Sequence, residues 1–376
     1  MPVKTNKKPA ATSAARPTPR AAAATSSNGA KKIEVGILGA TGMVGQHFVA
    51  LLAEHPWFRV TYLAASERSA GKRYGDLPWR LNYDLPAETA KLSVNELKAG
   101  EGPLGVFSGL DSSVAGTAEE AFAAAGHIVV SNARNHRMDP LVPLLIPEIN
   151  PDHLGLVPLQ RKAKGWKGAI VTDPNCSTIV MSIALAALRE FQPKRVLVTT
   201  LQALSGAGYP GVASLDATAN VIPHIENEEE KMESEPRKIL GKFANGAVEM
   251  HPMTISATTT RVPVVHGHSE SISVEFERRV TREDILEAFR KFSGEPQELQ
   301  LPTAPKQPII YMAQANRPQP RLDAERDGGM AVYVGRLREC PILGHKFIAM
   351  GHNVVRGAAG AAILNAELMR AKDLLG

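Results

Sequence analysis

The sequence predicts an α/β protein: a Rossmann-like, doubly wound domain followed by an α+β domain built on a mixed sheet. Three observations lead there. Strand-like and helix-like segments alternate through the first 190 residues. A glycine-rich turn, Gly39-Ala-Thr-Gly-Met-Val-Gly45, stands between the first strand and the first helix. Beyond residue 195 strand-like runs follow one another with few helices between them. The first pattern belongs to parallel sheets covered on both faces, and the last to mixed or antiparallel sheets.

The chain has 376 residues, room for two domains, and 44% of them are hydrophobic, which is ordinary for a globular protein. Its net charge of +5 misleads. Residues 1–33 hold Lys4, Lys7, Lys8, Arg16, Arg20, Lys31 and Lys32 and no acid, which leaves −2 for the remainder. The basic balance therefore belongs to the tail and is no argument for nucleic acid as a partner. Rich in Ala, Pro, Ser and Thr and without an aromatic, residues 1–31 are expected to be disordered. Organelle targeting is the alternative to a cytoplasmic protein, although Pro2, Pro9, Pro17 and Pro19 oppose the helix such signals form. No run of eighteen apolar residues exists, so no membrane span is expected. Two cysteines, Cys176 and Cys340, make neither a disulfide framework nor a metal-ligand spacing.

The Rossmann domain is expected over residues 32–175. Its strands are predicted at 33–39, 60–65, 105–108, 128–131 and 168–173, with helices from 43 to about 55 and near 119–125. The second domain is expected over 176–353. It opens with a long apolar helix from about Ser177 to Phe191. Strands follow at 195–202, 254–262, 268–277, 309–314, 331–337 and 347–350. Thr281-Arg-Glu-Asp284 has the form of a capping box and starts a helix through Ile285 and Phe289. A last helix, within 354–376, completes the first domain and carries small residues, Gly357 to Gly360, in its first turns.

Three segments carry chemistry. Gly39, Gly42 and Gly45 follow a strand and open a helix, where glycines let backbone N–H groups approach a pyrophosphate. Thr41, Met43 and Val44 belong to the same turn. The loop after the second strand offers Ser66, Arg68, Ser69 and Lys72, suited to a 2′-phosphate. On an extended segment Glu67, the local carboxylate, would face away from Ser66 and Arg68. NADP is therefore the expected cofactor. The third segment is Pro174-Asn175-Cys176-Ser177, which sets a thiol at a helix N-terminus, in a field that favours the nucleophilic thiolate. A nicotinamide cofactor beside a cysteine suggests aldehyde chemistry through a thioester. Of the eleven histidines, His266 and His268 are two apart and on a strand would share a face, so residue physics does not choose between them.

Taken together the motifs resemble the aspartate-semialdehyde dehydrogenases of fungi and archaea, over roughly residues 32–376. The resemblance rests on the glycine turn, Ser131-Asn-Ala with Arg137, Asn175-Cys-Ser177, Gln202-Ala-Leu-Ser-Gly-Ala-Gly208, Glu228-Glu-Glu-Lys231, Arg261-Val-Pro with His268, and Asn353-Val-Val-Arg-Gly-Ala-Ala-Gly360. It implies Cys176 as nucleophile, His268 as acid/base, Gln202 orienting the acyl group and Asn175 positioning the reacting groups. It implies Arg261 on the substrate α-carboxylate, Glu228 on its α-ammonium, Lys231 and Arg137 on phosphate with Asn132 nearby, and Ser205, Gly206 and Asn353 near the cofactor. It also implies reduction of aspartyl phosphate to the semialdehyde on the route to Lys, Thr, Met and Ile, by a homodimer or homotetramer. Related acyl-phosphate and acyl-CoA reductases, or a catalytically silent Rossmann protein, are the alternatives.

Overall fold

The computed structural model describes residues 31–375. Nearly all of the basic tail, with its expected disorder and alternative targeting role, lies outside the described residues.

The first sheet contains β1 (Ile33–Leu38), β2 (Phe58–Ala64), β3 (Val94–Asn95), β4 (Gly105–Ser108), β5 (Ile128–Ser131) and β6 (Ala169–Thr172). Its order is β3-β2-β1-β4-β5-β6, and every pairing is parallel. β4, β5 and β6 are buried along their whole length, as strands covered on both faces must be. The chain turns back between β1 and β4, so the ligand crevice of this topology opens at the carboxyl ends of those two strands. Crossover helices run Met43–Leu52, Ser112–Ala124 and Leu156–Lys164. The second begins seven residues earlier than its alanine run suggests, because Asp111 caps it by accepting the Ser113 N–H.

The second sheet has the order β10-β7-β11-β14-β13-β12. Its strands are β7 (Pro193–Gln202), β10 (Thr254–Arg261), β11 (His268–Phe276), β12 (Ile309–Met312), β13 (Val332–Cys340) and β14 (Gly344–Gly351). β8 (Lys242–Ala244) and β9 (Ala247–Glu249) form a separate hairpin. β10 with β7 and β12 with β13 run parallel, and the other pairs are antiparallel, so the sheet is mixed. Alternation along β7 and β10 turns Val196, Val198, Ile255 and Ala257 inward against Ile179, Ile183 and Met232. The outer face leaves Leu197 and Leu201 exposed.

The helix after β6 spans Cys176–Ala187 and passes into a 3-10 turn at Arg189–Phe191, shorter than the continuous helix expected to Phe191. The last helix also differs from a single regular element. It opens with a π turn at Val355–Ala359 and continues as Gly360–Ala371. Its residues Ala362, Ile363 and Ala366 share a core with Val35, Ile37 and Phe48 of the first sheet's layer. The capping box at Thr281 and Asp284 is present and starts the helix Arg282–Lys291.

Candidate active site

The carboxyl ends of β6, β7 and β10 and the start of β11 come together around Cys176. The chain leaves β6 through Asp173-Pro174, and Asn175 caps the next helix. Its Oδ1 accepts the N–H groups of Ser177 at 3.0 Å and Thr178 at 3.1 Å. Cys176 thus occupies the first helical position. Its sulfur lies 3.2 Å from His268 Nε2. His268 is fully buried at the start of β11, and its Nδ1 accepts the Ala203 N–H at 3.0 Å. That bond occupies the Nδ1 lone pair, so the neutral ring carries its proton on Nε2, facing the sulfur.

His266 is elsewhere. Its Nδ1 lies 3.0 Å from Ser205 Oγ, and its ring stacks on His352 at 5.1 Å. The expectation that both histidines share one face fails because Gly267 has φ +95° and β11 begins only at His268. Strand alternation therefore does not extend back to His266.

Burial pushes the Cys176 thiol up to about 12, with the Glu228 carboxylate adding to it and Arg261 and Arg137 opposing. The residue keeps some exposed surface, but its sulfur sits among fully buried neighbours such as Ser177 and His268. Burial likewise pulls His268 down to about 3, helped by Arg261. The resting pair is a neutral thiol beside a neutral imidazole. The expected thiolate-favouring field is present, but a helix end contributes about 0.3–1 kcal/mol, and one pKa unit already corresponds to about 1.4 kcal/mol. Desolvation wins.

Glu228, at the start of the helix Glu228–Ile239, is the hub of the polar contacts. Its Oε1 accepts from Asn175 Nδ2 at 2.7 Å and from Gln202 Nε2 at 3.1 Å, and its Oε2 from Lys231 Nζ at 2.9 Å. Burial raises its pKa, yet the Lys231 ion pair and these hydrogen bonds outweigh that and hold it below the usual carboxylate value. Arg261 ends β10, buried, and donates from Nη1 to Ala203 O at 2.8 Å. Gly206 touches this cluster so closely that an added Cβ would lie 2.8 Å from Arg261 Nη1 and 3.0 Å from His268 Cε1. Asn353 ties the neighbouring turn together, donating to Ser205 Oγ at 2.8 Å and accepting the Gly267 N–H at 2.9 Å.

Arg137 is buried and already partnered. It donates to Glu235 Oε1 at 3.1 Å and to the Asn132 carbonyl at 2.7 Å, while its Nε has no partner among the described residues. Both polar atoms of the Asn132 side chain are likewise buried without partners there.

A cleft of about 620 Å³ opens at the β1–β4 switch point. Gly39, Thr41, Gly42, Ser66 and Arg68 line it. Gly39 adopts φ +76°, which only glycine takes without strain. Met43, Val44 and Gly45 do not line the cleft: Gly45 packs on the Gly39 carbonyl, where no Cβ fits. The loop after β2 is a hydrogen-bonded turn rather than an extended segment, since Ser66 O accepts from the N–H groups of Ser69 and Ala70. Two corrections follow. Ser69 is turned back out of the cleft lining, and Glu67 lines it beside Ser66 and Arg68 instead of facing away.

Sequence reasoning missed Glu235 and Lys238, on the same helix as Glu228. Glu235 Oε2 accepts the Asn175 N–H at 2.8 Å. Lys238 donates to the carbonyls of Arg137, Asp139 and Val142 at 2.7–2.8 Å. The signal was available as a repeat: 228, 231, 235 and 238 fall on one helical face.

Comparison with known proteins gives a consistent picture. Residues 34–157 match the model of the semialdehyde dehydrogenase NAD binding domain, and 185–356 that of the semialdehyde dehydrogenase dimerisation domain. The chain is 50% identical over 341 residues to the aspartate-semialdehyde dehydrogenase of Archaeoglobus fulgidus, covering 90% of this chain and 98% of that protein. A crystal structure of aspartate semialdehyde dehydrogenase with NADP from Candida albicans superposes with a TM-score of 0.84 at 41% identity, covering 92% of this chain and all of that one. The malonyl CoA reductase (NADP) of Metallosphaera sedula is 41% identical over 353 residues, 92% of this chain and 99% of that protein.

Proposed function

The chain belongs to the aspartate-semialdehyde dehydrogenase family, and from that premise we propose that it reduces L-4-aspartyl phosphate to L-aspartate 4-semialdehyde with NADPH, through a thioester on Cys176. The observation that carries the reading is the 3.2 Å approach of Cys176 Sγ to His268 Nε2, flanked by Arg261 and Glu228.

The cofactor fits the switch-point cleft. Gly39 and Gly42 permit close backbone approach to a pyrophosphate, and Arg68 and Ser66 suit a 2′-phosphate. When bound, the nicotinamide supplies the hydride that reduces the thioester carbonyl. Everything else falls to the chain. Arg261 offers a planar fork for the α-carboxylate. The α-ammonium competes with Lys231 for Glu228, which frees Lys231 for the phosphate oxygens. Arg137 adds a second cation near the sulfur. Attack by the Cys176 sulfur on the acyl carbon forms the thioester and breaks the acyl–phosphate bond, the thiol proton leaving with the phosphate, so one difficult step becomes two easier ones. The Nε2–H of His268 donates to sulfur, stabilising it as the nucleophile and again as the leaving thiolate when the hemithioacetal collapses. The N–H groups of Ser177 and Thr178 are taken by Asn175 Oδ1 and that of Asn175 by Glu235, which leaves the Cys176 N–H at the helix start for the developing oxyanion.

The product feeds the biosynthesis of Lys, Thr, Met and Ile. The exposed face of β7 and β10, within the segment matching a dimerisation domain, supports a homodimer or a homotetramer built from it. No helix among the described residues is long and apolar enough to cross a membrane. Separately from that, the cytoplasm is the location we propose for the enzyme.

The relative from Metallosphaera sedula favours a second reading, reduction of a CoA thioester. NADPH oxidation measured with aspartyl phosphate, N-acetylglutamyl phosphate and malonyl-CoA separates the candidates. Turnover confined to aspartyl phosphate is expected. Preferred turnover of malonyl-CoA would replace the proposal, because that substrate brings no ammonium for Glu228.

A further inference from the structure

Four charged side chains of the helix Glu228–Ile239 lie on one face, and only the first two are accounted for by substrate. Glu235 and Lys238 reach the other way, into the loops that follow β5 and β6. Lys238 spends all three of its N–H bonds on the carbonyls of Arg137, Asp139 and Val142. Glu235 is buried at 2% exposure and divides its two oxygens. Oε1 accepts from the Arg137 guanidinium at 3.1 Å, and Oε2 accepts from the backbone N–H of Asn175 at 2.8 Å. The 2.8 Å contact has the length of a charge-assisted hydrogen bond, and the 3.1 Å contact is an ion pair at ordinary hydrogen-bond length.

We propose that Glu235 is a positioning residue of the reaction, holding the Arg137 guanidinium and the Asn175 backbone in one carboxylate so that the arginine's charge stays beside the Cys176 sulfur. The proposal rests on Cys176 being the reactive thiol, and not on which acyl substrate it takes. Asn175 is both the N-cap and the residue before Cys176, so its N–H is the last backbone anchor before the nucleophile. Among the described residues Arg137 has no other carboxylate at hydrogen-bond distance, and its second contact is to the Asn132 carbonyl. Around the thiol, Glu228 acts against ionisation from the same helix, while Arg261 on β10 and Arg137 favour it. Asp173 stands near Arg137 just beyond β6, but neither of its oxygens has a hydrogen-bond partner among the described residues, so it does not hold the guanidinium as Glu235 does; burial pushes its carboxyl well above the usual value. Losing the Glu235 carboxylate therefore has two opposite consequences. Removal of a nearby negative charge alone would favour the thiolate. Release of Arg137 would disfavour it. The second is expected to dominate, because Arg137 is among the charges that act on the thiol, while Glu235 meets the nucleophile turn only through Arg137 and the Asn175 N–H.

The test is the alkylation rate of Cys176 by iodoacetamide at pH 8 in a Cys340→Ser background, where Cys176 is the sole thiol. Glu235→Gln keeps an acceptor for Asn175 but turns an amide N–H toward Arg137. It is expected to slow alkylation about tenfold, the effect of moving one opposite charge away from an ionisable group. Faster alkylation, or an unchanged rate with a lowered melting temperature, would overturn the proposal. If that variant does not fold, Glu235→Asp serves. It keeps the charge but is one methylene too short to span both partners, and the same slowing is expected. The phosphate dependence of semialdehyde oxidation gives a second measure, with KM for phosphate expected to rise about tenfold for a lost charged hydrogen bond. Slowed alkylation with an unchanged phosphate KM leaves Glu235 as the positioning residue and removes Arg137 from the phosphate site.

Discussion

At the scale of single residues, the site is a neutral Cys–His pair held in one tautomer. Cys176→Ser keeps the hydrogen-bonding volume but replaces a potential thiolate with a hydroxyl, a far weaker nucleophile. Turnover should be lost while NADP binding, followed by fluorescence titration, persists. Normal turnover in that variant would sink the thioester route. The two histidines separate by function as they do in space. His268→Asn removes the Nε2–H beside sulfur and should lower kcat by about 10²–10⁴-fold. His266→Asn, acting on Ser205, should leave kcat within a few-fold. Stopped-flow turnover of both variants decides it, and a larger loss at His266 would reverse the assignment. At this scale Cys176 was legible from its place between a strand and an apolar helix, whereas Arg261, Glu228 and Lys231 came from the family resemblance and not from residue chemistry alone. The choice between His266 and His268 was not legible, since it depends on one backbone dihedral, at Gly267, that residue spacing does not reveal.

At the scale of elements, the last helix matters as much as the one bearing the thiol. Its π turn presses Gly357 against the nucleophile, where an added Cβ would lie 2.6 Å from Cys176 Cβ and 3.0 Å from its Cα. Gly357→Ala must therefore displace either the turn or Cys176. A loss of kcat of at least about tenfold is expected from a small displacement of the reacting atoms, with the first-domain core and NADP affinity retained. Unchanged kcat would show that the π turn yields instead. The small residues there were visible in the sequence, but a π turn has no compositional mark. The same holds for the helix Glu228–Ile239. Its run of acids and lysines reads as a solvated face until Glu235 and Lys238 are seen buried against loops from the other sheet. The cofactor loop is the third case. It is a turn, so Glu67 shares the cleft with Arg68, and the expected preference for NADP requires the cation to outweigh the acid. NADP should exceed NAD in kcat/KM by about tenfold, which equals about 1.4 kcal/mol. Arg68→Ala should reduce that ratio by weakening NADP alone. Equal use of both cofactors by the wild-type protein would show that Glu67 governs the loop.

At the scale of the whole molecule, folding strands polar groups inside the second sheet. The order of elements was readable from periodicity, and so was the mixed character of the second sheet. What sequence could not show is which inward positions on β11 carry a charge. Glu270 follows His268 on the same inward face, is fully buried, and has no hydrogen-bond partner for either oxygen among the described residues. Burial, reinforced by the Glu228 carboxylate, pushes its pKa well above 4.5. The folded state therefore keeps this proton after the unfolded chain has released it. A group raised in the folded state contributes its full stability below the ordinary value and loses it as pH rises, here at about 1.4 kcal/mol per pH unit until the folded value is reached. At neutral pH the native Glu270 is thus a net cost. Glu270→Gln presents a neutral side chain of the same shape at every pH. Its melting temperature should exceed that of the wild-type protein by a few degrees at pH 7, and the difference should vanish near pH 4.5. Thermal denaturation of both proteins across that range is the measurement. A variant less stable at pH 7 than the wild-type protein would mean that the Glu270 carboxylate is ionised and stabilised within the sheet.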